Sequence, residues 1–365
     1  MKRILIFSTA FHPFVGGAEV AVKEITDRML GFEFDLITLN LDSQQKSVEQ
    51  IGNVKVYRIG TSGKISKLLF PFIAFIKAQS LHKKNNYDAT WSIMASYSGF
   101  AALFFKYYYK KVTFVLTLQE GDPIPYIKRR VKFVYPLFKD IFRKADYIQA
   151  ISHYLAQFAK DMGARSEVVV IPNGVDVELF SEVIHKPHDG TVLITTSRLV
   201  EKNAVGDVIE ALTQLPEQVS FLVLGIGELE NKLRKQVEYL KLENRVHFIG
   251  QVAYENIPAY LAMSDIFIRP SLSEGMGNSF IEAMAARVPV IATNVGGIPD
   301  FLKDKETGIF CEVKNPESIA RAVTFYLENK ELREKIINGA HTLVSGSYDW
   351  DLIAKKMKTE IFARV

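Results

Sequence analysis

Short apolar runs, each ending at a glycine, a polar turn or a helix-period stretch, recur along the whole chain. Positions 4–8, 34–39, 54–59, 89–93, 112–117 and 147–150 read as strands, with helical periodicity between several of them. The series starts again at 191–195 and runs through 219–224, 246–249, 266–269, 290–293 and 308–310. The junction is Pro172-Asn173-Gly174-Val175-Asp176, a turn followed by the polar stretch 181–190. Two similar halves predict an α/β protein with two Rossmann-like sheets facing a cleft, and domains over 1–172 and 173–347.

Length agrees with that division, since 365 residues are long for one domain and comfortable for two. Hydrophobic content of 48% and charged content of 24% describe an ordinary soluble globular chain. Cys311 is the only cysteine, which excludes an intramolecular disulfide and a cysteine-based zinc cluster and fits a reducing cytoplasm. His12, His82, His153, His185, His188, His247 and His341 show no metal-ligand spacing, with His185 and His188 in the polar linker, so no metal site is expected. Residues 1–7 place charge before an apolar run, as a secretion signal does. That run is short, Pro13 interrupts the segment after it, and Gly16-Gly17 precedes an amphipathic pattern, so a buried first strand is the better reading. The apolar stretch 68–76 covers about half of a membrane span.

Charge is unevenly shared. Residues 1–180 hold 24 Lys/Arg against 16 Asp/Glu, and residues 181–365 hold 21 against 25. The basic excess concentrates in 64–84, where lysines interleave with large apolar side chains, and in 106–144, with ten Lys/Arg, three acids and many aromatics. In 64–84 and 126–144, cations mixed with Leu, Phe, Tyr and Ile predict helices lying on an anionic membrane surface. The alternative is that the apolar faces pack inward and the cations are merely solvated. No RNA- or DNA-binding motif accompanies the charge, so nucleic acid is not an expected partner.

The densest chemistry lies in 264–300. A strand runs into Glu274-Gly275-Met276-Gly277, then into a helix opening at Asn278, and after Pro289 a second strand leads to Gly296-Gly297. Two glycines ahead of a helix let a ligand approach backbone N–H groups, and the helix end favours a phosphate. Carboxylates repel phosphate, so Glu274 and Glu282 suit the hydroxyls of a phosphorylated ligand, a sugar on one side and a ribose on the other. Ser279-Phe280-Ile281-Glu282 also matches a capping box, which would make Glu282 a helix brace instead.

This arrangement resembles the donor-site signature of glycosyltransferase family 4, retaining enzymes with the two-domain GT-B fold. The resemblance rests on the Glu-Gly-x-Gly turn, the second Glu eight residues on and the small-residue helix before Pro289-Val290-Ile291; Arg287 stands where the family often has Gly. It extends over nearly the whole chain. Arg198 and Lys202 look like the family's Arg-Leu-x-x-x-Lys element, with Asn203 in place of the family's next Gly, and would stabilise the leaving diphosphate without a metal ion or other cofactor. Gly225 and Gly227 resemble a turn near the nucleotide base, as does Val252. Phe14-Val15-Gly16-Gly17 resembles the glycine loop that approaches the diphosphate across the cleft. The resemblance implies that the helix opening after Tyr348 (348–365) crosses back to the first domain.

Gln119-Glu120-Gly121-Asp122 comes after a strand where many relatives place a His and an acid. Gln119 can bond a sugar hydroxyl but cannot take a proton, which leaves Glu120 and Asp122 as the nearest candidate bases on the acceptor side. In the mechanism usually proposed for such enzymes a phosphate oxygen takes the acceptor's proton, and the protein supplies orientation and charge. The expected function is transfer of a hexose from a nucleoside-diphosphate sugar to a glycan or lipid-linked acceptor, in the cytoplasm or on the inner face of the membrane. The alternatives are a sugar-nucleotide epimerase, a glycogen- or sucrose-synthase-like enzyme on the same fold, or a sugar-nucleotide-binding protein without turnover.

Overall fold

A computed structural model describes residues 1–14, 16–182 and 188–365. Val15 of the first glycine loop and residues 183–187 of the polar linker, His185 included, lie outside the described residues. The chain divides into two compact units, Met1–Asn173 with Trp350–Val365, and Gly174–Asp349.

The first unit is built on an eight-stranded sheet. In chain order its strands are β1 (Lys2–Phe7), β2 (Phe32–Leu39), β3 (Val48–Ile51), β4 (Val54–Ile59), β5 (Ala89–Ile93), β6 (Thr113–Leu118), β7 (Tyr147–Ala150) and β8 (Val168–Val170). Across the sheet they run β3-β4-β2-β1-β5-β6-β7-β8, all pairs parallel except β3 with β4. Ile4, Leu5, Ile6 and Phe7 are fully buried, as a central parallel strand covered on both faces requires. Sequence pattern does not predict β3 and β8. β3 is polar and half-exposed, is paired with β4 and packs Ile51 against the core, and β8 is three residues at the opposite edge.

Three helices of this unit matter below: α1 (Gly17–Asp27), α2 (Lys64–Asn85) and α3 (Tyr97–Tyr108). The tail from Trp350 also belongs here. Trp350, Ile353, Met357, Ile361 and Phe362 are buried in one cluster with β1, β2 and α1, and Phe362 packs edge-on against Trp91. The basic stretch 126–144 splits in two. In the helix Tyr135–Lys144 the side chains of Phe138, Ile141 and Phe142 are core, whereas the helix Ile124–Arg130 buries none. Among the described residues no helix is long and apolar enough to cross a membrane.

The second unit carries β9 (Thr191–Thr196), β10 (Val219–Leu224), β11 (Val246–Gly250), β12 (Ile266–Arg269), β13 (Val290–Thr293) and β14 (Ile309–Cys311). Its order is β11-β10-β9-β12-β13-β14, entirely parallel. The chain reverses direction across the sheet between β9 and β12. Such a switch point opens a crevice at the carboxyl ends of the two strands, where ligands of open α/β sheets bind. In the first unit the same reversal falls between β1 and β5.

Candidate active site

Of the expected donor residues of the second unit, those that come after β9 and β12 lie at its switch point. Arg198 and Lys202 come after β9, and Glu274 after β12. The two loops are tied together, because the Leu272 N–H donates to the Lys202 carbonyl at 2.7 Å. Arg198 is exposed. Asn203, where the resemblance expects glycine, is buried and donates from Nδ2 to the Arg198 carbonyl at 2.7 Å. The left-handed position falls instead on Ala204, so the substitution braces the turn rather than opening it.

Glu274 is held from two sides. Its Oε1 accepts from the Gly275 N–H at 3.0 Å, and its Oε2 accepts from Nη2 of Arg269 at 2.8 Å. Arg269 closes β12, is buried, donates from Nη1 to Ser279 Oγ at 2.8 Å, and lies over the Phe280 ring. Burial pushes its pKa down, Glu274 and Glu282 oppose that shift, and Arg198 adds to it. Sequence reasoning does not single out Arg269, and it reads Ser279 only as the start of a capping-box pattern. The available signal is a lone cation at the end of an apolar strand, which must find a partner if buried.

Glu282 does not cap its helix. Asn278–Ala285 begins after Gly277, and Ser279 is engaged by Arg269, so the capping-box alternative is set aside. The carboxyl is instead buried, and burial raises its pKa to about 7 against the pull of Arg269. Gly275 and Met276 are buried, while Gly277 and Asn278 are half-buried at the start of the helix. Gly277 has φ +91°, and a Cβ there would overlap the Arg269 guanidinium and the Phe280 ring. Arg287 adopts φ +57° just after that helix, the conformation that explains why glycine is usual there.

Gly225 and Gly227 pack against the β9 loop, and a Cβ at either would overlap the Ser197 or Leu199 backbone. They let the Arg198 loop lie flat against the end of β10, and Val252 sits half-buried after β11.

In the first unit Gly16 and Gly17 open α1 after β1, and the Gly16 N–H donates to Glu19 Oε2 at 2.9 Å. Gln119 and Glu120 come directly after β6. Asn173 Nδ2 donates to Gln119 Oε1 at 3.1 Å, which leaves the Gln119 amide N–H groups for other partners. Glu120 Oε1 accepts from the Ala95 N–H at 2.6 Å, while its Oε2 is buried without a hydrogen bond. Burial pushes this carboxyl up to about 7. Although the residue as a whole is only half-buried, the carboxyl group is enclosed and braces the β5 end of the switch point. Asp122, half-buried, is in the loop beyond it.

Two family descriptions match consecutive parts of the chain: Glycosyltransferase Family 4 over residues 15–179, and Glycosyl transferases group 1 over 176–342. The chain belongs to the group 1, family 4 glycosyltransferases. The GDP-mannose-dependent alpha-(1-6)-phosphatidylinositol monomannoside mannosyltransferase of Mycobacterium tuberculosis is 23% identical, over 98% of this chain and 97% of the relative. Among solved structures, sucrose-phosphate synthase from Thermosynechococcus elongatus superposes with a TM-score of 0.87 at 20% identity, covering all of both chains. HepE of Anabaena, in complex with UDP-glucose, gives 0.84 at 21% identity, again over both full chains. At these identities the structures establish the fold, which is GT-B.

Proposed function

We propose that this glycosyltransferase is a retaining enzyme that moves a hexose from a nucleoside-diphosphate sugar to a lipid-linked or cell-surface glycan precursor. One observation carries the reading: the Arg198–Lys202 turn and the Glu274 loop are bonded to each other at the switch point of the second unit. Two cations beside a carboxylate match the needs of a sugar diphosphate. The cations stabilise charge growing on the leaving diphosphate, the work a metal ion does elsewhere, so transfer requires no metal. Glu274 accepts from hydroxyls of the sugar and Glu282 from the ribose. The acceptor attacks from the face the diphosphate leaves, and a phosphate oxygen takes its proton, which dispenses with a strong protein base. Gly225, Gly227 and Val252 border the base, the Gly16-Gly17 loop brings its backbone to the donor diphosphate, and Gln119 and Asp122 serve the sugar and acceptor.

The relatives support this choice without deciding the donor. HepE was solved with UDP-glucose, and the mycobacterial relative is named for GDP-mannose and a phosphatidylinositol acceptor. An acceptor carried by lipid puts the enzyme at the inner face of the cell membrane. The test begins with a nucleotide-sugar panel read by thermal shift, since a ligand of the folded state raises the melting temperature. The stabilising donor is then supplied in labelled form with lipid-linked and soluble glycan acceptors. Transfer with retained anomeric configuration supports the proposal; epimerisation, inversion, or binding without turnover overturns it.

A further inference from the structure

The helix α2 buries one side against the sheet and α3 and leaves another uncovered. Phe70, Pro71, Ala74, Ala78 and Leu81 are core. Ile65, Leu68, Phe72 and Ile76 are 75%, 64%, 56% and 65% exposed, with Leu69 beside them. Positions 65, 69, 72 and 76 share the spacing of a single helix face, so these side chains form one stripe about 16 Å long. Phe72 packs on Phe104 of α3 and Phe75 on Tyr108, so the exposed Tyr108 ring extends the stripe sideways. A solvated helix does not normally present five large apolar side chains along one face.

The charge around the stripe identifies what covers it. Neither α2 nor α3 contains a single Asp or Glu. Lys83 stands on the same line of α2, seven residues beyond Ile76, Lys64 opens the helix, and Lys110 and Lys111 come after α3; all four are exposed. Lys77 and Lys106 are engaged elsewhere, the first over the Tyr57 ring and the second paired with Asp146 at 2.6 Å. An apolar stripe flanked by exposed cations, with no acid on either helix, matches an anionic lipid surface: acyl chains for the stripe, headgroup phosphates for the lysines. A protein partner with an apolar groove would be expected to find acids as well as bases at its rim.

The geometry points to the α2–α3 face as the surface by which this enzyme rests on an anionic membrane, lying in the headgroup layer without crossing it. This deepens the proposed function, because it supplies the site that brings a lipid-carried acceptor to the first unit. The full chain is floated with vesicles of phosphatidylcholine alone, or of phosphatidylcholine and phosphatidylglycerol in equal amounts. Flotation is expected only with the anionic vesicles, and added salt should release the protein. The variant Ile65→Ser/Leu68→Ser/Ile76→Ser should bind at least about tenfold more weakly, because the apolar surface that enters the interface is lost. Lys64→Gln/Lys83→Gln/Lys110→Gln/Lys111→Gln should remove the dependence on anionic lipid. All seven side chains are solvent-facing, so both variants should melt as the parent does. Absence of flotation with anionic vesicles at low salt overturns the inference, as does unchanged flotation of the serine variant. A parent dimer that the serine variant turns into a monomer also overturns it, since a second copy would then occupy the face. Nucleotide-sugar binding by the same variants keeps the two proposals apart. Lost flotation with intact donor binding concerns this face alone, and a parent that binds no nucleotide sugar refutes the function and not the face.

Discussion

Nη2 of Arg269 lies 2.8 Å from Oε2 of Glu274, while Nη1 of the same guanidinium holds Ser279. One buried cation thus sets both the carboxylate at the end of β12 and the first turn of the next helix. Its fork reaches two groups at once, which the single ammonium of lysine cannot do. Arg269→Lys is expected to lower kcat by about tenfold through a misplaced Glu274, with less effect on KM. Glu274→Gln should lower turnover by about a hundredfold or more, as a lost transition-state contact does. Adding Arg269→Lys to Glu274→Gln should cost little further. Steady-state kinetics of the two single variants and the double variant check this, and additive losses would count against the coupling.

Arg198 and Lys202 replace a metal in the proposed transfer. Activity should therefore persist in excess chelator, and alanine at either position should lower kcat by about two orders of magnitude without metal rescue. A transfer rate restored only by magnesium or manganese would reject this role.

Glu120 and Glu282 are buried carboxyls with pKa values raised to about 7 from an ordinary 4.5. The folded protein therefore binds more protons than the unfolded chain between these values, and its stability falls as pH rises from about 4.5 to about 7. Glu120→Gln, which keeps an acceptor for the Ala95 N–H, should flatten that decline and stabilise the protein most at pH 8. Urea unfolding across the pH range tests it; a slope unaltered in this variant would contradict the assignment.

Arg287 occupies the left-handed region at φ +57°, with its guanidinium bonded to Asn338 on the surface at 3.0 Å. A non-glycine residue there costs about 1–2 kcal/mol, partly offset by the greater freedom of glycine in the unfolded chain. Arg287→Gly should stabilise the protein by about 0.5–1 kcal/mol with transfer activity retained. Loss of stability would show that the Asn338 contact outweighs the backbone strain.

Apolar periodicity in the sequence determined twelve of the fourteen strands among the described residues and the division into two similar halves. Both arise from local burial: a central parallel strand must be apolar along its length, and such runs are visible without knowing their neighbours. The two remaining strands, β3 and β8, are edge elements defined by the strand beside them rather than by their own composition. The turns carrying Arg198, Lys202 and Glu274 were legible for the same reason, since each comes directly after a readable strand. Tertiary structure alone decided what those residues touch. Arg269 looked like the end of a strand until folding buried its charge and required carboxylate and hydroxyl partners five and ten residues on. Glu282 fitted a helix cap by spacing, yet the helix begins at a different residue and its carboxyl is enclosed. Of the two basic, aromatic stretches, nothing in composition separated the core helix Tyr135–Lys144 from the exposed stripe on α2. Which face of an amphipathic helix meets the core depends on what packs against it, and packing is a property of the assembled sheet and helices rather than of any one segment.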